Sequence, residues 1–317
     1  MTAPTNTKTS YDVTGIREDL SDVIYNVSPE ETPLLSSIAK VKATNTFHEW
    51  QTDTLRPAVD TNAHVEGDDT VAEARASTSR LGNYTQIFKN AVSTSGTDGS
   101  LDLAGRGKLM SYEIVKVGQE QKLDMEMSIF ANKARVAGNS TTARVLGGLG
   151  SFVKTNVTNI GTGGANPTGI IPGATARTDG TATVFAQADF DLAMQSIWAE
   201  GGKPDTVYLS SFQMNKALGF VGNNNQRSTG ATGEVSSLLN VYMTPWGSVS
   251  FVPSRNNRAR DVWVIEKDKL ALAALRPMKN EALAKTGDNE KRQVVGECTL
   301  VVRNEKALGL IADCTTA

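Results

Sequence analysis

The sequence predicts an α+β fold, and three patterns carry that prediction. Residues 108–137 show the strongest helical periodicity: Leu123, Met127, Phe130 and Ala134 recur at i, i+4, i+7 and i+11, and Met110, Ile114 and Val117 extend the apolar face. Two strand-like runs, 45–52 and 83–90, face each other across about 30 residues with few apolar side chains. After one helix–strand–helix unit over 187–220, the C-terminal part reads almost entirely as strands.

The elements follow in order. Residues 1–10 are polar. Tyr11 to Val27 carry a helix-like pattern (Ile16, Leu20, Val23, Ile24), which Pro29 and Pro33 interrupt before the short apolar turn Leu34–Ile38. A structureless 30-residue loop inside a compact body would be anomalous. The stretch between the two strand-like runs is therefore expected to form a projecting two-stranded arm, with 15–18 residues each way and a reach on the order of 50 Å. An isolated ribbon is marginal in water, so such an arm needs a neighbouring surface. The long helix is expected to end at Gly138-Asn139 through C-cap chemistry. Residues 139–185, rich in Gly, Thr, Asn and Ala, give no clear element. A helix begins at Gln187 (Phe190, Ala193, Met194, Ile197, Trp198) and stops at Gly201-Gly202. The strand Thr206–Leu209 and a helix from Ser211 to Phe220 complete that unit, and a polar loop spans 222–233. Strands are then expected at Gly247–Pro253, Asp261–Ile265 and Leu270–Leu275. A hairpin of 278–285 with 290–302 turns at Gly287-Asp288-Asn289, and an apolar run over 307–311 follows.

Reactive side chains are scarce. The chain has two His and two Cys. Cys298 and Cys314 have no paired spacing for zinc, and Cys298 sits in the strand-like run 294–302, so both read as buried small apolar residues. His48-Glu49 is not followed by a second His at helical spacing, and His64-Val65-Glu66 lacks the P-C-x-x-C partner of a zinc deaminase. No G-x-S-x-G elbow is present. The glycine runs 147–150, 161–164 and 201–204 complete no phosphate-binding fingerprint. The carboxylate pairs 68–69 and 189/191 read as a solvated acidic turn and a helix start. The expectation is no enzyme, no cofactor and no metal. No apolar run approaches the roughly 20 residues of a membrane span, and the first residues carry no secretory h-region. Net charge is −2, which argues against a nucleic-acid coat that works by neutralising phosphates. The charge is unevenly placed: −6 over residues 1–100, +1 over 101–250 and +3 over 251–317. An acidic arm region and a basic C-terminal region can complement each other across a subunit boundary.

The order of parts, together with 14–26 (TGIREDLSDVIYN), 29–38 (PEETPLLSSI), 45–53 (NTFHEWQTD), 66–68 (EGD) and 83–88 (NYTQIF), resembles the major capsid proteins of tailed double-stranded DNA phages. The likeness spans nearly the whole chain and is strongest over 11–90. It implies an N-terminal arm (1–45) and an extended loop or E-loop (46–90). It also implies a peripheral domain (91–185 and 276–317) with a spine helix about 108–137, and an axial domain (186–275). The implied function is self-assembly as hexamers and pentamers into an icosahedral shell around the genome, in virions assembled in the host cytoplasm. An encapsulin-like nanocompartment shell, which has the same fold, is the alternative. Implied partners are copies of the chain, a separate scaffolding protein, a portal, decoration proteins and non-specific contact with packaged double-stranded DNA, but no membrane. The absence of a fused scaffolding domain is expected from the short polar N-terminus. Some capsids of this fold crosslink through an E-loop Lys, but no Lys lies between Lys42 and Lys89, so no such isopeptide is expected. The candidate inter-subunit contacts are Trp50, Arg56, Glu66, Asp68, Asp69, Arg75 and Arg80.

Overall fold

The computed structural model describes residues 31–69, 72, 74–75, 77–101, 107–169, 171–220, 228–229, 235–236 and 241–316. The helix expected over 11–27 and most of the polar loop 222–233 lie outside the described residues.

The described chain opens with the short helix α1 (Pro33–Ser37), where Pro occupies the first helical position and its missing N–H costs nothing. Strand β1 (Ala39–Lys42) leads to β2 (Phe47–Thr52), which returns as β3 (Ser79–Tyr84) and continues into β4 (Gln86–Ser95) and the small helix α2 (Gly96–Ser100). Next come the long helix α3 (Leu109–Phe130), α4 (Leu149–Phe152) and β5 (Val157–Asn159). Helix α5 (Gln187–Ala199), β6 (Thr206–Leu209) and α6 (Ser211–Leu218) form the expected unit, with Ser210 Oγ accepting from Gln213 N at the start of α6. The two-residue strands β7 (Ser228–Thr229) and β8 (Val235–Ser236) pair with each other. They precede β9 (Val241–Thr244), β10 (Gly247–Pro253), β11 (Val262–Ile265), β12 (Leu270–Ala282), β13 (Asn289–Val302) and β14 (Gly309–Ala312).

Two sheets organise the body. One has the order β1-β12-β13-β4 and the other β5-β14-β11-β6-β10-β9. In the six-stranded sheet, alternation splits the side chains between two cores. Val207, Leu209, Val262, Val264 and Ile311 face α5 and α6, where Phe190, Met194 and Ile197 close the layer. Tyr208, Trp263, Ile265, Leu310 and Ala312 face the other way, onto α1, Ile129 and Phe130 of α3, and Leu270, Leu272, Leu300 and Val302 of the four-stranded sheet. The terminal strands thus serve both lobes: β13 pairs with the arm-side strand β4 and with β12, whereas β14 inserts between β5 and β11.

Several local expectations change. The runs 270–275 and 278–285 are one strand rather than two. β12 crosses Pro277 by shifting register twice, between Ala274 and Arg276 and between Arg276 and Lys279, because Pro has no N–H for the ladder. Helix α3 stops at Phe130, short of residue 137. Beyond it, competing hydrogen bonds capture the chain: Asn132 Nδ2 donates to Arg177 O at 2.7 Å and Asn132 Oδ1 accepts from Arg177 N at 2.9 Å. Val136 and Val145 then bridge as a small hairpin. Gly138 (φ +71°) and Asn139, whose Oδ1 accepts from Thr142 N, form the tip of that hairpin and not a helix cap. The buried face of α3 also differs from the periodic one. Met110, Val117, Gln121, Met125, Glu126, Ile129 and Phe130 are buried, while Met127 is exposed. Trp198 at the end of α5 is likewise exposed.

Candidate inter-subunit surface

The arm begins as the antiparallel pair β2–β3, in register from Phe47↔Tyr84 to Thr52↔Ser79. The paired ribbon is six residues long on each strand, about 20 Å at 3.3 Å per residue, and not the expected 15–18. Beyond Thr52, residues 53–69 join no ladder. This stretch holds Pro57 and few apolar side chains, so unpaired backbone stays with solvent.

The root of the arm is fixed rigidly. Asn83 is fully buried, and its amide donates to Gly147 O (3.1 Å) and Leu300 O (3.0 Å) while accepting from Gly147 N (2.8 Å). Glu297, buried in β13, accepts from Thr85 Oγ1 (2.6 Å) and Arg144 Nη2 (2.6 Å) through Oε1, and from Arg276 Nε (3.0 Å) through Oε2. Phe47 packs on Tyr84 (4.6 Å between centroids) under the Arg135 guanidinium (5.0 Å), which also donates to Gly82 O. Gly82 leaves no room for a side chain, since an added Cβ would lie 2.6 Å from Phe47 Cζ. A charged residue inside the apolar run 294–302 demands partners, and that demand was the signal available for Glu297. Asn83 gave no such signal.

All described residues from Asp53 to Asp69 are exposed. Leu55 is 95% and Val65 78% exposed, and Val59 is also open to solvent. The tip turns at Val65–Asp68, where Asp68 N donates to Val65 O (3.1 Å) and Gly67 supplies the positive φ of +85°. The structure therefore gathers Glu66, Asp68 and Asp69 at one exposed turn, with His64 Nδ1 3.8 Å from Asp68 Oδ2. Arg56 and Arg75 are exposed on the same arm. Arg80 is tied to Glu49 across the ribbon, a surface pair worth about 0–1 kcal/mol. Trp50 is apart from this group: its indole is half-buried against its own chain, 6.2 Å from Phe152.

A buried charge cluster centres on Arg177. Arg177 pairs with Asp313 through Nη2 (2.5 Å) and with Asp179 through Nη1 (3.1 Å). Arg260 reaches Asp313 (2.8 Å), and Arg258 reaches Asp261 (3.0 Å) as well as Asp179. Asp313 takes a left-handed φ of +69°, which Asp tolerates. Burial opposes its ionisation, but the Arg177 and Gly180 donors and the Arg260 charge hold its carboxyl below the usual range. Asp261 goes the other way: burial outweighs Arg258, Arg177 and Arg260 and pushes it up to about 6. Its folded pKa thus lies above the ordinary value of 3.8, and the folded state binds its proton more tightly. Ionised Asp261 therefore costs stability above about pH 6, and the cost disappears as pH falls towards 4. Asp261→Asn should raise the thermal midpoint at pH 8 by the equivalent of roughly 1–2 kcal/mol and leave it nearly unchanged at pH 4. An equal effect at both pH values would contradict this, and calorimetry against pH reads it.

Both cysteines are buried and free, as the sequence indicated, with thiols pushed up to about 12 by burial. Among the described residues no group of His, Cys, Asp and Glu is arranged to hold a metal, and no helix is long and apolar enough to cross a membrane.

Comparison with known proteins agrees with this geometry. The major capsid protein of Escherichia phage Phieco32 is 27% identical over 336 aligned positions, covering 95% of each chain. Among solved structures, the capsid asymmetric unit of Cyanophage A-1(L) superposes with a TM-score of 0.64 at 13% identity, covering 98% of this chain and 99% of that one. The capsid of Cyanophage P-SCSP1u gives 0.61 at 12% identity, covering 99% and 97%. The fold is therefore that of the tailed-phage capsid proteins. The family model for the SU10 major capsid protein matches residues 3–315, and the chain belongs to that family.

Proposed function

We propose that this chain tiles an icosahedral phage head as hexamers and pentamers, non-enzymatically, around packaged double-stranded DNA. One observation carries the reading: a rigidly rooted arm exposes all of Asp53–Asp69, including Leu55 and Val65, to solvent. Exposed apolar side chains on a projection without a body of its own are satisfied by burial on another copy. Heterologous contacts of this kind close into rings and shells when the rotation permits. In this reading residues 1–45 are the N-terminal arm and 46–90 the extended loop. Residues 91–185 and 276–317 are the peripheral domain, and 186–275 the axial domain. Assembly takes place in the host cytoplasm, with scaffolding, portal and decoration proteins as further partners.

The acidic turn sets register and the apolar residues supply adhesion, because exposed ion pairs contribute only about 0–1 kcal/mol each. Arg56, Arg75 and Arg80 are secondary contacts, and Trp50 contributes through the part of its ring left open. Replacing Glu66, Asp68 and Asp69 together by Ala should lower the yield of closed shells and flatten its dependence on salt. Negative-stain microscopy across a salt series reads both. Heads unchanged in yield and in salt response would remove the acidic turn from the contact.

A further inference from the structure

We propose that Glu126 is a proton-operated latch between α1, α3 and the loop after β10: the protonated carboxyl holds α1 down, and the ionised carboxylate loosens it. Glu126 is fully buried on the packed face of α3. Three segments far apart in sequence meet on its carboxyl group. Oε2 accepts from Leu35 N of α1 at 3.2 Å, and Leu34 N adds a weaker donor. Oε1 accepts from Ser254 Oγ at 3.2 Å, in the loop that follows β10. Asn256 of the same loop also favours the charged form, although its Nδ2 makes no full hydrogen bond. All of these donors are neutral.

The surrounding elements supply no counter-charge. Helix α1 contains no charged residue. From β6 comes Tyr208, whose hydroxyl is bonded to Ser37 Oγ (2.9 Å) and pushed up by burial, with Asp205 just ahead of that strand. On α3 itself Lys122 and Asp124 are exposed. In the loop Arg255 is exposed, and Arg258 is engaged by Asp179 and Asp261. Among the described residues none of these charged groups forms an ion pair with Glu126. Burial of a carboxylate without a cation is costly, and here it outweighs the donors and pushes Glu126 up. The closed junction therefore binds its proton more tightly than an opened one, in which the carboxyl meets water. Closure is favoured below the raised value and weakened as pH rises through it. The proton has a place, because the Ser254 hydroxyl can turn from donor to acceptor while Oε2 keeps the Leu35 N–H. Helix α1 is the element able to respond. Five residues form no stable helix alone. It is held by the burial of Leu34, Leu35 and Ile38, by the Ser37–Tyr208 bond and by Glu126. Residues 1–32 precede α1, so the latch sets how firmly that stretch is tied to the body.

Hydrogen exchange of the full, unassembled chain between pH 5 and 8 tests the latch. Protection is taken relative to the intrinsic exchange rate at each pH. Protection of the amides at 34–38 should fall roughly three- to tenfold across this range, while the core strand amides at 294–302 change less than twofold. Glu126→Gln, which keeps the shape and removes the charge, should hold 34–38 at the acid level of protection at every pH. Asp261→Asn, which removes the other carboxyl raised by burial beside this loop, should leave the response of 34–38 in place. Tyr208→Phe, which cuts the tether to Ser37, should lower protection at every pH and keep the response. Protection of 34–38 that is flat or rises with pH in the unaltered chain overturns the latch. So does a response that 294–302 share, that Glu126→Gln retains or that Asp261→Asn abolishes. The measurement on the unaltered chain needs no variant, so it decides even if Glu126→Gln fails to fold.

Discussion

Replacing Arg177 by Met should cost about 3–5 kcal/mol of folding stability, the typical result of removing one partner from a buried ion pair. Arg177 is buried, and its guanidinium serves Asp313, Asp179 and the Asn159 side chain, whose Oδ1 accepts from Nη2 at 2.8 Å. Without it, the buried Asp313 carboxylate keeps the Gly180 N–H (2.8 Å) and Arg260 (2.8 Å). Because Arg260 remains, the lower end of the range is expected. The companion Arg177→Met/Asp313→Asn should recover part of the loss, since no charge is then stranded. The pH response adds a second signature. Asp313 is held below its ordinary range, so its ionised form supports the fold at neutral pH, and that support is lost as pH falls through the lowered value. In Arg177→Met the carboxyl loses its main donor and rises, so acid lability should begin at a higher pH. Urea unfolding of unassembled chain at several pH values measures both effects. A loss below about 1 kcal/mol would mean that the cluster contributes no more than a surface pair.

Substituting Ser for Leu55, Val59 and Val65 together should abolish or severely reduce shell formation while leaving the folded chain intact. All three are exposed, so their removal takes nothing from either core. If each is buried on a neighbour, it contributes about 1.5–3 kcal/mol. The triple variant then loses several kcal/mol per subunit, repeated around the shell. Unassembled variant should melt within about 2 °C of the parent chain, as surface substitutions do. Normal shells from this variant would show that the arm does not adhere through its apolar residues.

The body of the fold is legible in the sequence wherever one periodicity acts alone. Thr206–Leu209 and Gly247–Pro253 coincide with the strands expected there, and the helix from Gln187 places Phe190, Ala193, Met194 and Ile197 in the core. Legibility fails where tertiary partners override local pattern. The buried face of α3 contains Gln121 and Glu126, and Glu126 is held there by donors from Leu35 N (3.2 Å) and Ser254 Oγ (3.2 Å). Two polar residues on that face made the neighbouring stripe through Met127 look apolar instead. The end of α3 depends on Asn132 meeting Arg177, a pairing 45 residues long in sequence that no local rule contains. The arm was visible because its emptiness of apolar residues is itself a pattern. Its unpaired outer part was not, because a paired ribbon and an unpaired segment share the same composition. Arg177 and Asp313 went unremarked, because each is an ordinary charged residue until the fold removes solvent from both.

Electron cryomicroscopy of assembled shells, at a resolution that traces side chains, tests the central claim most directly: the arm of each subunit is completed by another copy. The predicted result is a closed shell of pentamers and hexamers in which Leu55, Val59 and Val65 are buried against a neighbouring chain and the turn at Glu66–Asp69 lies beside its cationic side chains. A closed shell in which residues 53–69 remain free in solvent would contradict it.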